Sequence, residues 1–431
     1  MNSDQRKAAL TELAANENNV ASTGINVAYR GQTVQMKVYR IPQEYLIYNK
    51  YNGRISSRVK AFERQDHVLN PEQEEDVAII EGFLWESNEQ RNRRTMDDLV
   101  KNGQLRHGIV TADGVIIDGN RRASLMNRAW RERDKHNWLP SDVDKCRYFL
   151  AVILPDNATP RDIQQLETTY QMGEDDKLDY NPIEKYLKCR DLKDLGFDDD
   201  EIAEMMGEKP LKIRNMLNIL ELMDDYLENL DYEDMYPMLD KSEDLFINLE
   251  KALRDWRQKS KLASANWEYT DTDIDDLQAI AFDYIRSGFE GKDFRRICKP
   301  GKDGSLFQNR RVWEAFSKRH FDTVDEIKEP TVQEEREAHE EITDVVQILR
   351  ARDDRWKAQV EDPFKRNFKH SERLLDDDMD DAKPKEVLIK VKDLLGTIDT
   401  KQDGFLTDPD VANLVRDINK MTYNLKKTLG Q

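Results

Sequence analysis

The apolar positions of the chain change period once, near residue 181. Before it, short apolar runs and alternations are interleaved with helical stretches; after it, apolar residues fall at three- and four-residue spacing almost to the end. Residues 4–17 predict a short helix with a weak face of Ala8, Ala9, Leu10, Leu13 and Ala14. Ile25 to Tyr29, a turn at Arg30-Gly31-Gln32, and alternation through Val34, Met36 and Val38 predict paired strands. Tyr45 to Tyr48 reads as a strand end passing into the polar turn Asn49 to Arg54, whose arginine is placed to point into a neighbouring site. Residues 73–101 predict a single helix, built on Val77, Ile79, Ile80, Phe83 and Leu84 and ended by Asn102-Gly103. Gly108 to Thr111 and Val115 to Ile117 are strands joined by the hairpin pair Asp113-Gly114. Tyr148 to Leu154 is a continuous apolar run of the kind buried on both faces of a sheet, and a helix resumes at Pro160. These elements make a small mixed α/β unit.

The remainder predicts helices. Asn181 caps and Pro182 opens one that Gly196 ends; Asp198 caps a second that Gly207 stops; Pro210 opens a third. Two short helices across a tight glycine turn have the helix-turn-helix layout, with Lys209, Lys212 and Arg214 as a basic stripe for DNA phosphates. Residues 232–381 are helical and acidic, with Trp256, Trp267, Trp313 and Trp356 as packing residues. Asp271-Thr-Asp273 lacks the glycine and glutamate of a calcium loop and reads as a helix start. The basic stretch from Phe294 to Arg311 reads as a loop or hairpin, and Asp376 to Asp381 before Pro384 as a linker or exposed turn. Val387 to Leu395 and Val411 to Leu425 are apolar stripes of a helical hairpin, expected to bury itself on the body of the chain, with dimerisation as the other outcome.

A length of 431 residues exceeds one core. The boundaries expected are 1–34, 35–180 (α/β), 181–231 (helix-turn-helix), 232–381 (acidic helical) and 382–431 (hairpin). The fold class is α+β: a mixed N-terminal α/β domain, a helix-turn-helix domain and an all-α C-terminal region. A net charge of −19 excludes a protein that coats nucleic acid over its whole surface, so DNA contact must be local. Three scattered cysteines fit a reducing cytoplasm rather than a disulfide framework, and six scattered histidines show no metal spacing. No apolar run approaches membrane-spanning length.

The candidate chemistry lies at Asp118-Gly119-Asn120-Arg121-Arg122. A glycine between strand and helix lets backbone approach a ligand, the helix start offers N–H groups to phosphate, and two arginines add planar permanent cations. A strand–helix corner whose arginines pair with nearby acids is the other reading of the same residues.

This turn, with Asn102-Gly103-Gln104 and the following strand, resembles the ParB/sulfiredoxin superfamily, in whose partition proteins a Gly-Glu-Arg-Arg box holds a nucleoside triphosphate. Glu167 to Glu184, ending in Asn181-Pro182-Ile183-Glu184, resembles a second ParB segment, and the helix-turn-helix follows in the ParB order. The likeness covers about residues 35–230. Asn120 stands where ParB carries glutamate and where sulfiredoxin carries its cysteine; Ser124-Leu125 replaces an Arg-Ala pair, Thr168 follows Glu167 in place of asparagine, and Lys177 takes an arginine's place. The resemblance implies a triphosphate, CTP or ATP, held by Gly119, Asn120, Arg121, Arg122, Arg54 and Lys177. It also implies magnesium assisted by Glu167, and DNA bound by the basic stripe. Such a chain is a nucleotide-dependent switch of a plasmid, phage or anti-phage setting. In an enzyme using the same pocket (a triphosphatase, a nuclease or a small-molecule kinase) Asp118 and Glu167 become the catalytic groups. An adaptor with a degenerate pocket is the third possibility.

Overall fold

A computed structural model describes residues 1–431 except 174–180, 261–262, 290, 303, 340, 343 and 431. The chain is mixed α+β, with a six-stranded sheet near the N-terminus followed by helices. Helix α1 (Ser3–Ala15) opens with a capping box at Asn2. Strands β1 (Val20–Tyr29) and β2 (Gln32–Pro42) form a long hairpin, so the boundary expected at 34/35 falls inside a strand. Short β3 (Ile47–Tyr48) precedes α2 (Ser56–Glu63). The helix expected over 73–101 is two helices, α3 (Glu74–Glu86) and α4 (Glu89–Asn102). The break falls at Asn88, whose side chain accepts from Arg91 N–H and starts a new helix. β4 (Gly108–Val110), β5 (Val115–Asp118), α5 (Asn120–Arg131), α6 (Pro140–Val143) and β6 (Tyr148–Ile153) complete the unit.

The strand order is β1-β2-β6-β4-β5-β3, with β6 antiparallel to β2 and parallel to β4. β6 is therefore interior, as its unbroken apolar run requires. Helices α1 to α5 cover one face through Leu10, Ile55, Val59, Leu84 and Leu125. The other face is closed by Leu166 of α7 (Pro160–Thr168) over Ile117 and Val152.

The helical part comprises α8 (Pro182–Asp194), α9 (Asp199–Met206), α10 (Pro210–Asn229), α11 (Glu243–Arg257), α12 (Asp271–Arg286), α13 (Gly291–Cys298), α14 (Arg310–Asp325), α15 (Val332–Ala338) and α16 (Val345–Gly396). Buried residues from Ile183 to Leu375 share one core, so the expected boundary at 231/232 cuts through continuous packing. Trp256, Trp313 and Trp356 are buried in that core, and Thr270 with Asp273 forms the capping box of α12.

Two expectations fail here. Gly301 and Gly304 of the basic stretch do lie in a connection, between α13 and α14, but the aspartates read as a linker lie within α16, where Asp376 pairs with Arg296 and Asp378 with Arg311. Ion pairs to remote arginines neutralise what locally resembles a solvated acidic run. The C-terminal stripes are also not buried on the body: the end of α16, α17 (Asp403–Thr407) and α18 (Pro409–Thr428) expose Leu394, Leu414 and Met421. Among the described residues no helix is long and apolar enough to cross a membrane.

Helix α2 links the two parts. Val59 belongs to the sheet-side core and Ala61 to the helical core. Polar ties join them as well: Lys60 Nζ lies 3.1 Å from Asp191, and Arg161 lies 2.6 Å from Glu201 while stacking on Phe197.

Candidate functional site

The Asp118–Arg122 turn is built by packing. Gly119 has φ +105°, and a Cβ there would stand 2.6 Å from Phe149 Cζ. Left-handed backbone and the Phe149 ring, rather than access for a ligand, therefore demand the glycine. Asn120 is buried: its Oδ1 accepts from Asn49 N–H at 3.1 Å and its Nδ2 donates to Asn49 C=O at 3.2 Å. That pair of hydrogen bonds staples the loop after β3 to the start of α5. Adjacent residues on a helix diverge by about 100°, and the two arginines do so. Arg122 folds back, 2.6 Å from Asp118 and donating at 2.6 Å to Arg106 C=O. Arg121 instead lines a cavity.

That cavity, about 650 Å³, lies between α2, the α3–α4 junction, the start of α8, residues 237–240 and the start of α16. Four arginines line it: Arg54, Arg58, Arg121 and Arg350. Three helices also begin on it, since their N-cap residues Asn88, Asn181 and Asp344 are lining residues. Helix starts carry partial positive charge and free N–H groups, so cations and dipoles add. Acids offset this field: Asp66, Glu86, Glu184, Asp240 and Asp344 also line the cavity, with Glu86 2.9 Å from Arg58 and Asp240 3.7 Å from Arg350. The side chains of these two pairs are about a third to three-fifths exposed, and such pairs exchange partners at little cost. Phe62, Ile79 and Phe83 supply an apolar wall, the usual complement of a small-molecule site.

Glu184 is the buried acid of this cavity. Its carboxylate accepts from Ser57 Oγ at 2.5 Å and from Ser57 N–H at 3.1 Å, at the first turn of α2. Burial pushes its pKa up to about 7, against the hydrogen bonds from Ser57, which favour the charged form.

The residues expected at the site are thus divided. Arg54 and Arg121 meet at the cavity, joined by Asn181 and Glu184 of the second box. Gly119, Asn120 and Arg122 support the turn behind it. Asp118, expected as a catalytic group, is the partner of Arg122. Glu167, expected at a metal, is fully buried and 2.9 Å from Lys188, with Asn49 Nδ2 at 3.5 Å. Burial raises its pKa and the Lys188 ammonium opposes that rise. The carboxylate is enclosed with the Lys188 ammonium and is not among the residues that line the cavity. Lys177 lies outside the described residues. In the basic stripe, Lys212 is 2.8 Å from Glu208 and Arg214 is 3.1 Å from Asp199, with Lys209 exposed beside them at the start of α10. Sequence reasoning missed Arg58, Ser57 and Arg350. Arg58 follows Arg54 by four residues, from the turn into the first turn of α2, which is a usable signal; Arg350 arrives from a remote helix with none.

Compared with known proteins, the chain matches no family model, and no curated protein sequence matches it.

Proposed function

We propose that the chain is a ParB-like switch that binds a nucleoside triphosphate, CTP or ATP, and associates with DNA. One observation carries this reading: Arg121 of the first box and Asn181 and Glu184 of the second, separated by some sixty residues, line a single cavity with Arg54. Its volume of about 650 Å³ suits a nucleotide, within the ~300–1,000 Å³ range of ligand pockets. Arg121, Arg54 and the helix starts would take the phosphates, and the wall of Phe62, Ile79 and Phe83 would take the base. Among the described residues no group of three or more histidine, cysteine or acidic side chains is arranged to hold a metal ion. Magnesium nevertheless fits a site that offers one or two carboxylates and takes the rest of its ligands from phosphate and water. Asp240 and Asp344 in the cavity wall are such donors, and a bound magnesium would screen the phosphate charge.

The cavity is shared by the sheet unit and the helical part, so a ligand bridging them binds one relative arrangement better than another. Differential binding of this kind is what moves a two-state equilibrium. The DNA side of the switch is the start of α10, where Lys209, Lys212 and Arg214 would replace their surface acids with backbone phosphates, contacts that position rather than specify.

Coupling is the test. DNA affinity, followed by fluorescence anisotropy with and without saturating CTP or ATP and magnesium, changes several-fold, and nucleotide affinity changes by the same factor when DNA is present. Identical DNA binding with and without both nucleotides refutes the switch.

A further inference from the structure

We infer that Ser57 is a covalent phosphoryl-acceptor site: the chain transfers the γ-phosphoryl group of a triphosphate bound in the cavity to its own Ser57 Oγ, and Glu184 takes the hydroxyl proton. This rests on the nucleotide reading of the cavity given above. The observation that carries it is a hydroxyl–carboxylate pair in the wall of an arginine-lined hollow. Ser57 Oγ donates to Glu184 Oε1 at 2.5 Å, both side chains are buried, and both line the cavity with Arg54, Arg58 and Arg121. A hydroxyl is a weak nucleophile until a base within hydrogen-bond reach can take its proton.

Helix capping does not account for the pair. To cap the first turn of α2, the bond from Ser57 N–H to Glu184 at 3.1 Å is sufficient, and the hydroxyl is not needed. Ser56 supplies the contrast: its Oγ is buried with no hydrogen-bond partner, and it is not among the residues that line the cavity. Of two adjacent serines, one has both a base and an opening. Ser57 is only 8 % exposed, so the active site of a separate kinase does not reach it. The donor is a small molecule already held in the cavity.

The step balances. Ser57 Oγ attacks the γ-phosphorus, and the new Oγ–P bond forms as the bond from that phosphorus to the β,γ-bridging oxygen breaks. The hydroxyl proton passes to the Glu184 carboxylate, and the nucleoside diphosphate leaves with the bonding electron pair on its terminal oxygen. Permanent cations stabilise the charge spread over the transferred oxygens, and Arg54 and Arg58 flank Ser57 in the chain to do so. The product is a phosphoserine in the first turn of a helix among arginines, a favourable setting for that charge. It also resets the switch. The Ser57–Glu184 bond ties α2 to α8, and a phosphate ester beside the carboxylate replaces that tie with repulsion. The ester occupies the place of the γ-phosphate, so each chain reacts once.

Incubation of the full chain with magnesium and CTP or ATP radiolabelled in the γ-phosphate tests this, with equilibrium dialysis of the same nucleotides alongside. Wild type should incorporate up to one phosphoryl group per chain, located by peptide mass spectrometry at Ser57 and not at Ser56, and label in the α-phosphate should not transfer. Incorporation should vanish in Ser57→Ala and slow by ~100-fold in Glu184→Gln, as loss of a positioned base requires. In wild type its rate should rise with pH through about 7. Burial places the Glu184 titration there against the Ser57 hydrogen bonds, with Lys60 lowering it and Asp191 raising it; a capping role gives no such profile. Nucleotide bound without transfer, label on another residue, transfer of α-label, or a Glu184→Gln rate equal to wild type overturns the inference and leaves the nucleotide reading standing. Absence of nucleotide binding in wild type overturns both. The acceptor is located on wild type, so a Ser57→Ala chain that does not fold leaves the test intact.

Discussion

Glu184→Gln should make the protein more stable above pH 7. In the native chain burial lifts this carboxyl from an ordinary 4.5 to about 7. Between those two values the folded state keeps a proton that the unfolded state has released, so stability falls as pH rises through the window. At about 1.4 kcal/mol per pKa unit, the full loss is on the order of 3 kcal/mol. Glutamine keeps an oxygen for Ser57 Oγ and N–H but cannot ionise, so it never incurs that loss. Urea unfolding followed by tryptophan fluorescence should show the variant about 3 kcal/mol more stable than wild type above pH 7, with the gap closing towards pH 4.5. A gap independent of pH, or a variant that is less stable at high pH, would show that the hydrogen bonds from Ser57 outweigh burial and that the reasoning is wrong. Carrying a destabilising acid in a cavity wall is the pattern expected where stability is traded for binding.

Further outcomes follow from the same geometry. Gly119→Ala should lower stability by more than ~1 kcal/mol, because positive φ and the Phe149 ring both oppose a Cβ; thermal melting reads this. Lys188→Met should destabilise by ~3–5 kcal/mol through an uncompensated buried Glu167, and Lys188→Met/Glu167→Leu should recover most of that loss; denaturant titration of the single and double variants separates the two. Replacing Lys209, Lys212 and Arg214 together by alanine should weaken DNA binding and reduce its salt slope by ~0.9 for each lost phosphate contact; a slope equal to wild type in a salt titration places the DNA contact elsewhere.

Where local chemistry decides an element, the sequence showed it. The Asp113-Gly114 hairpin, the interior strand at Tyr148 and the Asn181-Pro182 helix start all rest on neighbouring residues. Where a distant partner decides, it did not. Glu86 to Thr95 is an unbroken polar run with no Gly or Pro, so a break made by one capping asparagine was hidden. The aspartates of α16 looked solvated because Arg296 and Arg311 come from other helices. The site divides the same way. Arg54 and Arg121 were legible from their turns, but the enclosure of Glu167 depends on Lys188, and Arg350 reaches the cavity from α16. Nor could spacing alone tell that adjacent arginines would part, one to the cavity and one to Asp118.

That parting gives the most direct measurement. Calorimetric titration of CTP and ATP, each with magnesium, into wild type, Arg121→Ala and Arg122→Ala should show a triphosphate bound by wild type. Affinity should be lost by tenfold or more in Arg121→Ala, as removal of a charge-assisted contact worth ~1.5–3 kcal/mol requires, and stay within a few-fold of wild type in Arg122→Ala. No heat from either nucleotide in wild type, or equal affinity in wild type and Arg121→Ala, would contradict the account.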